Sequence, residues 1–191
     1  SLFDAFSGTI LYVSHDIDEA LRFCDRIAVV EAGRIMEIDT GDDLVNRPQS
    51  EAALKLSGCK NAPEARYAGD HRVLLPKWGV TVETDEEVPP DVRCLGIRAS
   101  YLERADGPGP NCYRVRVDRV SDSRFERTAL LGFVDREEGA PDAVGSDENE
   151  MTYLHQHLFW RVSKLRSDGL PQAGEELWVR IPPDRIYLVT R

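Results

Sequence analysis

Ser14-His15-Asp16 is the densest group of potentially reactive side chains in the chain. A hydroxyl, an imidazole and a carboxylate are the parts of a hydrolytic triad. Successive residues of an extended segment point to opposite faces, so these three converge poorly. No G-x-S-x-G elbow surrounds the serine either. His15 has two other uses. It can contact a phosphate or position a water, because neutral imidazole donates and accepts one hydrogen bond and its cation pairs with phosphate. It can equally cap the helix that follows.

Other constellations are weaker. His155 and His157 stand two apart, so on a strand they share a face, but no third metal ligand accompanies them; two exposed histidines at a barrel edge is the favoured reading. Trp78, Phe159, Trp160, Trp178 and Tyr187 have the character of stacking platforms. The formal net charge of -10 makes core positions the better expectation for them and argues against a nucleic-acid partner. The acidic run 135–150 lacks the D-x-D-x-D-G register of a calcium loop and reads as a mobile, solvated insertion. Cys24, Cys59, Cys94 and Cys112 are scattered, with no C-x-x-C pair, which reads as reduced thiols in a cytoplasmic protein.

The elements that must position these residues follow from periodicity. Thr9–Ser14 is an apolar, partly β-branched run, which predicts a buried strand of a mostly parallel sheet with His15 at its carboxyl end. Ile17, Ala20, Leu21 and Cys24 repeat at helical spacing. Arg26–Val30 and Arg34–Ile38, joined by Ala32-Gly33, predict a hairpin. Short helices are expected from Gly41 and over Ser50–Leu56, and Leu2, Phe3 and Phe6 fit the last turns of an earlier helix. Beyond Gly58 the helical pattern gives way to short β runs at the spacing of a small barrel: 73–75, 80–83, 92–97, 113–120, 128–133, 158–162, 177–181 and 186–189. The boundary falls near Ser57–Asn61. At 191 residues, 41% hydrophobic and 30% charged, the chain can bury a real core. It holds no apolar run of membrane-spanning length and no secretory signal.

In this order, Thr9-Ile10-Leu11-Tyr12-Val13-Ser14-His15-Asp16, Asp18-Glu19-Ala20, Cys24-Asp25-Arg26-Ile27-Ala28-Val29-Val30 and Gly33-Arg34-Ile35 resemble the end of the nucleotide-binding domain of an ABC transporter ATPase. His15 falls on the switch histidine of that family's H-loop. Arg47-Pro48-Gln49-Ser50, Ser57–Asn61, Trp78-Gly79-Val80 and Gly96-Ile97-Arg98-Ala99 look like the linker and regulatory domain of molybdate/sulfate-type importer ATPases. Leu158–Lys164 and 177–189 resemble the same C-terminal module, an OB-like barrel called a TOBE domain.

The resemblance implies residues 1–57 as the C-terminal part of an α/β P-loop ATPase domain with a helical linker, and 58–191 as an all-β TOBE barrel. It implies that His15 contacts the γ-phosphate of ATP, held with Mg2+ in the intact subunit. It further implies transmembrane permease subunits and a second ATP-binding subunit as partners, at the inner face of the cell membrane. The family's P-loop, LSGGQ-like signature and Asp-Glu-terminated strand are absent from this sequence. The expectation is therefore the C-terminal portion of a longer subunit, which alone holds no cofactor and hydrolyses no ATP. In relatives the barrel can bind an oxyanion. The corresponding place here, Pro108-Gly109-Pro110-Asn111, departs from that pattern: two prolines remove amide donors, and no hydroxyls remain. The rival reading is a stand-alone regulatory barrel that senses a small oxyanion or mediates dimerisation.

Overall fold

The computed structural model describes residues 7–145, 147–165 and 169–191. Leu2, Phe3 and Phe6 lie outside the described residues. The chain forms two compact units, residues 1–58 with Arg191 and residues 59–190.

The first unit contains α1 (Ile17–Phe23), β1 (Ile27–Glu31), β2 (Arg34–Asp39), α2 (Gly41–Asn46) and α3 (Glu51–Leu56). β1 and β2 form the expected hairpin, with Glu31 opposite Arg34. Ala32 and Gly33 both adopt positive φ, 47° and 75°, the two-residue turn whose twist matches that of the strands. Each helix begins on a side-chain cap. Thr40 Oγ1 accepts from Asp43 N at 3.2 Å, and Ser50 Oγ accepts from Ala53 N at 3.1 Å. Ser50 Oγ also donates to the buried Glu37 carboxylate at 2.8 Å, which accepts Ser50 N at 3.0 Å as well. That carboxylate locks β2 to the start of α3. Ile27, Val29, Leu44 and Ala53 form the small core beneath the hairpin.

Thr9–Ser14 is not a strand. It carries no strand pairing, and Leu11 and Val13 are 91% and 87% exposed. β-branched residues favour a strand only where a neighbour supplies hydrogen bonds and a packing surface, and nothing among the described residues supplies either. The expected parallel sheet is likewise not formed, since every strand pairing among the described residues is antiparallel.

The second unit is β-rich. It holds β3 (Arg66–Gly69), β4 (Arg72–Leu75), β5 (Val80–Glu83), β6 (Cys94–Gly96), β7 (Glu103–Ala105), β8 (Cys112–Asp122) and β9 (Glu126–Phe133). After these come α4 (Glu150–His155), β10 (His157–Ser163), β11 (Glu176–Arg180) and β12 (Tyr187–Val189). Five strands make a curled half-barrel in the order β10-β9-β8-β11-β7, beside a β3-β4-β5 sheet and a β12-β6 pair. This architecture is compatible with an OB-like domain. Alternation along β8 turns Val115 and Val117 into a core shared with Val73, Leu95, Leu131 and Leu158.

The acidic run is anchored over 136–141. Arg136 donates to the carbonyls of Trp78 (3.2 Å), Lys77 (3.0 Å) and Pro141 (2.7 Å). Glu137 N donates to Gly79 O at 2.7 Å. Gly79 has φ +69°, and a Cβ there would stand 2.6 Å from that of Ala140. Each of these anchors is a backbone carbonyl, which composition does not reveal.

Asn111 closes the β unit. It sits at φ 53°, its Oδ1 accepts Glu83 N at 2.8 Å, and its Nδ2 donates to Glu83 O (2.8 Å) and Ile181 O (3.0 Å). The end of β5, the start of β8 and the end of β11 thus meet on one amide. Asn111→Ala should lower unfolding free energy by about 2–4 kcal/mol, because buried backbone groups lose their partners. Asn111→Gly, which tolerates the positive φ, should cost less. Urea denaturation of both variants checks the order.

Candidate functional site

His15 is solvent-exposed, one residue before Asp16, the N-cap of α1. Asp16 Oδ1 accepts from Asp18 N at 2.9 Å and Glu19 N at 3.2 Å. The helix is therefore capped by the aspartate, not by the histidine. Ser14 Oγ accepts Asp16 N at 3.0 Å and donates to Glu19 Oε2 at 3.3 Å. Tyr12, two residues earlier on the same side, also donates to Glu19 Oε2 at 2.7 Å; this bond raises its phenol above the ordinary range. Ser14 and Asp16 are thus committed to Glu19 and to backbone amides. The structure does not join Ser14, His15 and Asp16 into a relay, so the hydrolase constellation is not formed. What remains is an exposed imidazole held just ahead of a capped helix.

His155 and His157 do not share a strand face. His155 ends α4 and His157 begins β10. His157 is 8% exposed, and its ring is engaged at both nitrogens: Nδ1 lies 2.5 Å from Tyr153 O and Nε2 lies 2.8 Å from Asp118 Oδ2. With both nitrogens occupied and the ring buried, it offers no free position for a metal or a substrate. Gly132 faces His157 on β10 and Arg116 on β8. A Cβ at Gly132 would lie 2.7 Å from Asp118 Oδ2, so glycine makes the space. The Asp118–His157 pair joins residues 39 apart in sequence. No spacing motif signals it; only the β8-β9-β10 register does. Among the described residues no group of three His, Cys, Asp or Glu side chains is placed to hold a metal ion.

Trp78 and Trp160 are core residues, 1% and 4% exposed, and Trp78 packs 5.3 Å from the Phe133 ring. Phe159 and Tyr187 are half-buried beneath Lys60 and Arg98. Cys24 and Cys112 are half-buried, Cys59 and Cys94 are buried, and burial pushes the Cys59 thiol up. Asn111, last residue of the segment compared with an oxyanion loop, spends its side chain on Glu83 and Ile181. A cavity of about 130 Å³ beside Trp160 was not foreseen. Its arginines are already matched, Arg104 to Glu175 at 2.6 Å and Arg161 to Glu126 at 3.6 Å.

No protein-family model matches the chain. Comparison with curated proteins is more informative. The spermidine/putrescine import ATP-binding protein PotA of Acidothermus cellulolyticus is 36% identical over 191 residues, covering 94% of this chain and 44% of that protein. The homologues of this chain are ATP-binding subunits of ABC importers. The molybdate/tungstate import ATP-binding protein WtpC of Pyrococcus horikoshii is 27% identical over 121 residues, 61% of this chain and 34% of its own length. The choline transport ATP-binding protein OpuBA of Bacillus subtilis is 28% identical over 89 residues, 46% of this chain and 23% of its own length. The chain spans less than half the length of these curated relatives. No helix among the described residues is long and apolar enough to cross a membrane.

Two carboxylates give the β unit a signed pH dependence. Burial pushes Asp118 up, but hydrogen bonds from Arg116 and His157 outweigh it and hold the group below its ordinary value. Hydrogen bonding to Arg127 brings Asp122 down to about 2. A carboxylate lowered in the folded state contributes stability above its unfolded value, near 4, and loses it as pH falls through the folded one. The stability difference between the natural chain and Asp122→Asn should therefore hold steady near neutrality and shrink from about pH 4 to about pH 2. Urea titrations at a series of pH values measure it.

Proposed function

We propose that this chain is the C-terminal part of the ATP-binding subunit of an ABC importer, and that His15 is its switch histidine. The observation that carries the reading is the alignment with PotA of Acidothermus cellulolyticus along 94% of the chain. The placement of His15 supports it. The imidazole is exposed, ahead of a helix capped by a different residue, with its immediate neighbours committed elsewhere.

In the intact subunit, Thr9–Ser14 pairs with strands outside this chain and presents His15 to the γ-phosphate of ATP. Mg2+ and the phosphates are held by a P-loop and an acidic strand that this sequence does not contain. His15 supplies a hydrogen bond to a phosphoryl oxygen as charge develops, a contribution of the preorganised electrostatic kind. The subunit pairs with a second copy and works with transmembrane permease subunits at the inner face of the membrane. The β unit is its TOBE-like regulatory domain.

Relatives named for spermidine/putrescine, choline and molybdate/tungstate all align with this chain. The internal commitments of Asn111 give no support to an oxyanion sensor at 108–111.

His15→Ala in the intact subunit should cut ATP turnover by about 100-fold or more, while ATP affinity stays within a few-fold. Unchanged turnover with intact binding would remove His15 from the reaction.

A further inference from the structure

The His157 ring faces an acceptor at each nitrogen, the Tyr153 carbonyl on one side and the Asp118 carboxylate on the other. A neutral imidazole carries one N–H and one lone pair. It can satisfy only one of these neighbours and turns its lone pair on the other. Moving the proton to Asp118 does not resolve the conflict, because Arg116 Nε donates to that carboxylate at 2.6 Å and favours its ionised form. The cation satisfies both contacts.

What those contacts hold is specific. α4 has no buried residue of its own. It is held to the half-barrel by the Tyr153 carbonyl on His157, by the Tyr153 ring 4.0 Å from the His157 ring, by Arg119 with Glu150 at 3.0 Å, and by the Arg119 guanidinium over the Tyr153 ring. Gln156, next in sequence, extends the hold backward: its side chain accepts Val144 N at 3.0 Å and donates to Asp142 O at 2.9 Å. We propose that His157 is a proton-operated latch: as the imidazolium it ties α4 and the adjoining acidic segment to the sheet, and its neutralisation loosens both. Asp118, Arg116 and Arg119 of β8 and Tyr153, Glu150 and His155 of α4 are the titratable and charged groups around it. Gly132 of β9 adds none.

Hydrogen exchange of the full chain, read with ring nitrogen NMR shifts of His157 from about pH 5.5 to about pH 9, tests this. After correction for intrinsic exchange, protection of the Val144, Tyr153 and Gln156 amides should fall about tenfold or more as the ring loses its proton. Amides of the β8-β9 ladder should not respond. In Asp118→Asn the new amide can donate to Nε2 while Nδ1–H serves Tyr153, so the neutral ring fits and the fall should vanish. His155→Gln should keep it. Protection indifferent to the ring's protonation would overturn the latch, as would a fall that survives in Asp118→Asn. If that variant does not fold, as judged by the β8-β9 amides, the response of the natural chain decides alone.

Discussion

A curled sheet that does not close on itself must satisfy the backbone groups along its two free edges, and the β unit depends on how it does so. β10 is one edge and β7 the other. Buried amides and carbonyls without partners cost as much as lost hydrogen bonds. Asn61 solves this at Phe159, accepting its N–H at 2.7 Å and donating to its carbonyl at 2.8 Å, as a neighbouring strand would. Arg161 N reaches Ala99 O, and the Trp160 indole reaches Leu102 O just before β7. Asn111 does the same work at the sheet corner and Gln156 at the foot of α4. Side-chain amides thus replace missing strands, and the apolar core can stay dry beneath them.

The first unit relies on a different device. One buried carboxylate, Glu37, gathers the amides and hydroxyl at the start of α3, so the hairpin and helices share a small core. The hairpin's other face is apolar and open. Val30 faces Ile35 across the strands at 63% and 61% exposure. Strands buried on both faces carry apolar residues on both. Leu11 and Val13 are exposed as well. On the proposed reading His15 acts only in company, since a phosphate-contacting imidazole needs something else to hold the phosphate.

The legible parts of the chain were those where local chemistry and tertiary need agree. Ala32-Gly33 between β-branched runs specifies a hairpin turn whatever surrounds it. Alternation in β8 reports the core directly. Thr9–Ser14 misled because a strand is a property of pairs. α4 escaped notice because none of its residues is fully buried, so no apolar period marks Glu150–His155. β3 and β7 are short and largely exposed. Of the candidate residues, His15 was singled out by its neighbours in sequence. The His157–Asp118 pair was not, because register alone unites it.

The central claim is that this polypeptide carries a switch histidine but not the phosphate-holding machinery of its reaction. ATP hydrolysis by the isolated 191-residue chain with Mg2+, measured by phosphate release, tests it most directly. The account predicts no turnover above the uncatalysed background. Sustained Mg2+-dependent turnover on the order of 1 s−1 or faster, the ordinary range of enzymes, would contradict it.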